Sequence, residues 1–149
     1  MGYGMAYVKD ITNNKHFKRD MTYDVLSSQA RNYPKDRAYC TVIAVAVVLG
    51  VSFGKARGIM EYNGRVEGYG CMPSVTHRAM TSHGATLERL YHVEQGTLKT
   101  ICRKLPSVGK FIVHVRGHIV AIVNGCIRDW TAFAGQGRRV LQVYRVTID

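Results

Sequence analysis

The run Lys110-Phe111-Ile112-Val113-His114-Val115-Arg116-Gly117-His118-Ile119-Val120-Ala121-Ile122-Val123-Asn124-Gly125-Cys126-Ile127-Arg128-Asp129-Trp130 decides the fold. Asn124-Gly125 is the strongest short-range signal for a two-residue type I′ turn, because both central positions of that turn need a positive φ. The flanking residues, Lys110 to Val123 and Cys126 to Trp130, are rich in apolar and β-branched types and predict antiparallel strands. With Asn124 and Gly125 as the turn, Val123 faces Cys126, Ile122 faces Ile127, Ala121 faces Arg128 and Val120 faces Asp129. Alternation then puts His118 on the face of Val120, so His118 and Asp129 are diagonal neighbours. At ~7–8 Å between backbones their side chains can meet. An Asp there holds the imidazole in one tautomer and favours its protonated form. His114 shares the parity of His118 and is expected behind it at most, because Gly117 between them reads as a bulge that breaks the phase.

Upstream, Val42-Ile43-Ala44-Val45-Ala46-Val47-Val48-Leu49 is apolar on every face and ends at Gly50, a natural helix stop. Periodicity does not separate strand from helix in such a run; the alanines and the closing glycine favour a buried helix that starts near Cys40. Ser52 caps a second helix, Phe53 to Tyr62, and Asn63 to Gly70 is a glycine-rich loop. Pro73 opens a helix through Ser82 that Gly84 ends. Thr86 to His92 reads as a short strand, Thr97 caps a helix through Lys104, and Arg139 to Ile148 is a final strand. Helices come first and an antiparallel sheet follows, which makes the fold class α+β. Met1 to Lys35 reads as an irregular, basic N-terminal arm with a short strand near Met5 to Lys9, and 36–149 as the domain proper.

A thiol at the start of a buried helix meets first-turn amides and the positive end of the helix dipole, the setting that stabilises a thiolate. Taken singly, Cys40 reads as packing, since free cysteines are among the most buried residues. The combination is more telling: a thiol at a helix start, an imidazole on a strand, and a carboxylate on the adjoining strand. Cys71, Cys102 and Cys126 have no such setting, and His77 and His83 fall in or just after a helix with no acid nearby in sequence. These read as packing or surface. No Cys-x-x-Cys pair is present, so no structural zinc and no other cofactor is expected.

The 149-residue length fits one core, and 21 Lys and Arg against 10 Asp and Glu give a net charge of +11. Between Gln95 and Ile148 the only acid is Asp129, among Lys99, Arg103, Lys104, Lys110, Arg116, Arg128, Arg138, Arg139 and Arg145. The charge accounts for solubility and a nonspecific pull on nucleic acid; the interleaved aromatics of a dedicated nucleic-acid surface are not evident. No apolar run approaches the ~20 residues that span a bilayer, and Met1 to Asp20 lacks the apolar stretch of a secretory signal, so a cytoplasmic protein without a membrane partner is expected.

Cys40-Thr41-Val42-Ile43-Ala44-Val45-Ala46 with Gly50, Phe53 and Ala56, then Gly64-Arg65, then Gly109 to His118 with Gly125, Asp129 and Trp130, resembles a family of small papain-like cysteine peptidase-fold proteins of bacteriophages and bacteria, most of them uncharacterised. The resemblance covers roughly 40–146 and is most specific from Lys110 to Trp130. It implies a Cys-bearing helix packed on an antiparallel sheet, with Cys40 as nucleophile, His118 as general base and then acid, and Asp129 as orienting group. The chain departs from the papain-like pattern where a Gln usually precedes the Cys by about six residues: Pro34 stands there, and Ala38-Tyr39 replaces the Asn-Asp usual directly before the Cys in this family. Gln29 and Asn32 are the nearest candidate oxyanion amides, with the Cys40 backbone N–H as the alternative donor. The implied function is a cysteine peptidase or thiol amidase acting on a peptide or amide, in a host cytoplasm or a virion if phage-encoded. Two rival readings are a catalytically degenerate papain-like scaffold that binds virion or host proteins, and a basic nucleic-acid-associated protein.

Overall fold

The computed structural model describes residues 7–8, 19–20, 22–132 and 135–148. Near the N-terminus a two-residue strand β1 (Tyr7–Val8) pairs antiparallel with β2 (Arg19–Asp20). The helices are α1 (Thr22–Ala30), α2 (Cys40–Leu49), α3 (Phe53–Tyr62), α4 (Pro73–Thr81) and α5 (Leu98–Lys104). Strands β3 (Ala85–Arg89), β4 (Lys110–Val115), β5 (His118–Val123), β6 (Cys126–Ile127) and β7 (Val140–Ile148) form one antiparallel sheet in the order β3-β7-β4-β5-β6. The fold is therefore α+β. Among the described residues no single helix is long and apolar enough to cross a membrane.

The uninterrupted apolar sequence of α2 follows from its place. It packs on β5 through one side and meets α1, α3 and α4 through the others, so Val42 through Val48 are all buried. Val42, Val45 and Val48 are fully enclosed, each contributing ~1.5–3 kcal/mol. Gly50 ends the helix in the left-handed region at φ 68°, and its N–H bonds the Ala46 carbonyl. Ser52 caps α3 by accepting from the Lys55 N–H at 3.1 Å, and Thr97 and Thr100 form a reciprocal capping box on α5. On the opposite face of the sheet, Leu98 and Ile101 of α5 with Leu90 and Val93 pack on Phe111, Val113, Val120 and Val143. Strands β4 and β5 are thus buried on both faces, which explains why they read as continuous apolar runs instead of alternating ones.

Four expectations are corrected. Lys110 to Val123 is not one strand: the chain reverses at Arg116-Gly117, with Val115 opposite His118 and Gly117 at φ 73° supplying the turn's positive φ. The irregularity expected at Gly117 instead sits in β7, where the pairing slips between His114 opposite Gln142 and Val115 opposite Val140, leaving Leu141 as the extra residue. The arm is not irregular to Lys35, because Thr22–Ala30 is helical and buries Leu26 and Ala30 against α2 and α3. Its short strand does form, as Tyr7–Val8. The strand expected over Thr86 to His92 is Ala85–Arg89, followed by a 3-10 turn at Tyr91–Val93.

Candidate active site

The Asn124-Gly125 turn forms as the sequence predicts. Asn124 has φ 51° and Gly125 φ 77°, and Val123 pairs with Cys126 and Ile122 with Ile127. The Asn124 side chain adds a bond to the Gly109 N–H at 2.9 Å. The ladder ends one step later than β6, with the Arg128 N–H donating to the Ala121 carbonyl. Beyond it the chain leaves the strand and enters a 3-10 turn at Trp130–Ala132. Asp129 therefore reaches His118 from a bend, not from the extended strand the pairing scheme assumed.

His118 opens β5 immediately after the Arg116-Gly117 turn. Its Nε2 donates to Asp129 Oδ2 at 2.7 Å, and both side chains are almost fully enclosed. The same carboxylate oxygen accepts from the Thr131 N–H at 3.2 Å and the Thr131 hydroxyl at 2.8 Å. These two donors fix the carboxylate while it fixes the ring. The Trp130 indole lies 5.2 Å from the imidazole, centroid to centroid, and closes another side. Cys40 stands beside the ring, and the two residues line the same two cavities. Burial by itself would push the imidazole pKa down; the hydrogen bonds and negative charge of Asp129 and Cys40 outweigh it and raise the value to about 9. His118 therefore carries both protons at neutral pH.

Cys40 is partly exposed and begins α2. Tyr39 precedes the helix without a side-chain cap, and its carbonyl accepts from the Ile43 N–H at 3.0 Å. The amides of Cys40, Thr41 and Val42 have no partner inside the helix and are free to donate to an anion. The segment leading to Cys40 is clamped from behind. Asp36 is buried and accepts from Arg65 Nη1 at 2.8 Å, from Arg65 Nη2, from Arg57 Nε at 2.9 Å and from the Gly68 N–H at 2.9 Å. Arg65 Nη2 also donates to the Ala38 carbonyl at 2.9 Å. Bonding to Arg65 holds the Asp36 carboxyl far below the ordinary carboxylate range, against the opposing effect of burial.

The candidate oxyanion amides lie elsewhere. Gln29 Oε1 accepts from the Phe53 N–H at 2.8 Å and so serves the first turn of α3, and Asn32 is exposed in the turn after α1. Neither lines a cavity beside Cys40. Among the described residues the remaining candidate donors beside Cys40 are the backbone amides at the start of α2 and the side-chain amide of Gln142, which lines a cavity with Cys40 and His118.

Two features escaped the sequence. Cys71, in the loop before α4, lines the same cavity as Cys40, and burial raises its thiol pKa. His114 lines that cavity too, but its partner is His77 of α4, Nε2 to Nε2 at 3.0 Å, with the Tyr144 ring packed against both. Burial, reinforced by the His77 charge, pushes His114 down to about 4, and burial lowers His77 as well. Both are neutral at pH 7, and among the described residues no group of three or more His, Cys, Asp or Glu side chains converges as a metal site. The signal for Thr131 was present in Asp129-Trp130-Thr131, a spacing at which Asp bonds the backbone two residues on. Nothing local announced His77 or Cys71, which reach the site only through the packing of α4 on the sheet. Comparisons with protein-family models, with curated proteins and with solved structures find no match to this chain.

Proposed function

We propose that this chain is a cysteine peptidase or related thiol amidase of papain-like design. The observation that carries the reading is the His118 ring bonded through Nε2 to Asp129, with the partly exposed Cys40 thiol at the head of α2 lining the same two cavities. An imidazolium in that place is the counter-ion a thiolate needs. The Cys40 sulfur attacks an amide carbonyl carbon, a C–S bond forms, and the carbonyl oxygen takes the negative charge at the free amides of the α2 first turn. His118 gives its proton to the departing nitrogen as the C–N bond breaks, leaving a thioester on Cys40. Water then attacks that carbonyl while His118 accepts its proton, the C–S bond breaks, and the acid product leaves. Asp129 keeps the ring in register through both halves.

A second reading has one observation in its favour. Gln29 is spent on α3 and Asn32 is exposed away from Cys40, so neither amide expected at the oxyanion site reaches it, as expected of a papain-like scaffold kept for binding virion or host proteins. One experiment separates the two. Iodoacetamide near pH 6 should label Cys40 selectively, because ordinary thiols are almost wholly protonated there. Cys71, raised by burial, and Cys102, pushed up to about 12 by burial, serve as internal controls. Cys40→Ser should abolish both labelling and any amide hydrolysis while changing folding stability by no more than ~1 kcal/mol. Labelling of Cys40 no faster than of Cys71, or hydrolysis that survives Cys40→Ser, overturns the enzyme reading.

A further inference from the structure

Cys40 and His118 stand between two cavities of unlike character. The first, of about 420 Å³, is walled by residues such as Thr41, Pro73, Thr76, Ile119 and Leu141 and by neutral His114, and no Lys, Arg, Asp or Glu lines it. The second, of about 380 Å³, opens on the other side of the pair and is walled by Tyr23, Arg37, Tyr39, Asp129 and Trp130. Its rim is positive. Arg37 is exposed in the wall itself. The Arg138 guanidinium lies over the Trp130 ring at 5.1 Å, and its Nη1 donates to the Arg116 carbonyl at 3.1 Å, which brings the exposed Arg116 beside it.

No carboxylate among the described residues pairs with these three arginines. The one acid in the wall, Asp129, is committed to His118 and Thr131, and Asp24 on α1 adds a second negative charge that acts on the wall residue Tyr23. Among the described residues the three arginines around the cavity outnumber these two acids, so positive charge is in excess near the reacting sulfur, and low-dielectric walls strengthen such a field. Arg138 is also pre-oriented by its indole and its carbonyl partner, so its fork meets a carboxylate with little further ordering. The same contrast makes the cleft directional, with uncharged walls on one side of the sulfur and a cationic rim on the other.

We infer that the substrate is an acidic peptide that places a Glu or Asp carboxylate in the cavity bounded by Arg37 and Trp130, beside the bond presented to Cys40. The inference rests on the reading of Cys40 as the nucleophile and is tested on the full chain in two ways. In the first, Cys40 alkylation is followed with iodoacetate and with iodoacetamide, which differ in charge, and the ratio of the two rates is compared between wild type, Arg37→Gln and Arg138→Gln. The ratio should fall several-fold in each variant, and in wild type at high salt. In the second, peptides that differ only by Glu or Gln at one position are compared, and the kcat/KM preference for Glu should shrink in the same variants. A ratio unchanged by the variants, with Cys40 still labelled rapidly, overturns the acidic-substrate inference alone. Failure of both reagents to label Cys40 overturns it together with the nucleophile. Protection of Cys40 from iodoacetate by a short oligonucleotide, but not by a Glu-rich peptide, overturns the peptide assignment and points to a nucleic-acid ligand.

Discussion

Asp36→Ala removes the carboxylate around which Arg65, Arg57 and the Gly68 amide are gathered. Both the Asp36 and Arg65 side chains are 0% exposed, so the variant leaves a guanidinium enclosed with only the Ala38 carbonyl to answer its charge. Breaking a buried pair from one side costs about 3–5 kcal/mol, a large share of the ~5–15 kcal/mol that keeps a domain folded. Urea denaturation followed by circular dichroism measures the loss. Arg65→Met should relieve much of it in the double variant, because the enclosed charge is then gone, and the two single losses should exceed the double by ~0.5–3 kcal/mol. The pH dependence has a definite sign. The folded carboxyl titrates far below its unfolded value of ~3.9, so the Asp36 contribution is complete above that value and disappears as pH falls toward the folded one. Wild type and Asp36→Ala should therefore converge in acid. A loss below ~1 kcal/mol, or losses that simply add with Arg65→Met, would refute the claim that this pair pins the chain ahead of Cys40.

His118 should titrate near 9 in an NMR experiment and drop toward its ordinary value in Asp129→Asn; a wild-type value at or below 6.5 refutes the charge pairing. Its contribution to stability is complete below about 6.5, the unfolded value, and is lost as pH rises through about 9. His114 should behave oppositely, titrating near 4, so that stability falls as pH drops from about 6.5 toward that value. Asn124→Ala puts an alanine at φ 51° and deletes the bond to the Gly109 N–H; a loss of ~1–2 kcal/mol in urea denaturation is expected, and an unchanged midpoint would contradict the type I′ assignment.

Local chemistry made much of the fold readable. Gly50, Ser52, Pro73 and Thr97 mark helix ends through their own backbone or side-chain properties, and each boundary falls within a residue or two of its signal. Asn124-Gly125 sets the register as far as Arg128 beside Ala121, and the bend that follows carries Asp129 to His118. The Arg116-Gly117 reversal was harder to read, because strands buried on both faces show no alternation to betray a change of direction. Arg at the first turn position also carries none of the positive-φ preference that makes Asn-Gly conspicuous. The commitment of Gln29 to the Phe53 N–H was equally hidden, since it depends on how α1 lies against α3, a tertiary fact without a sequence period. The Asp36–Arg65 clamp joins residues whose types are unremarkable in sequence and acquire meaning only once both are enclosed.

The order in which the site's parts occur along the chain bears on when reactivity can arise. Cys40 lies at the head of α2, whereas His118 arrives only after α3, α4, α5, β3 and β4, and Asp129 after β5 and β6. Their meeting closes a long loop, an entropic cost repaid only when β5 docks on α2. A chain still being synthesised has a cysteine there without its counter-ion. A partly unfolded chain loses the counter-ion again. Thiol reactivity at Cys40 is thereby coupled to the docking of β5 on α2, and the rate at which it appears during refolding is a clock for that long-range contact.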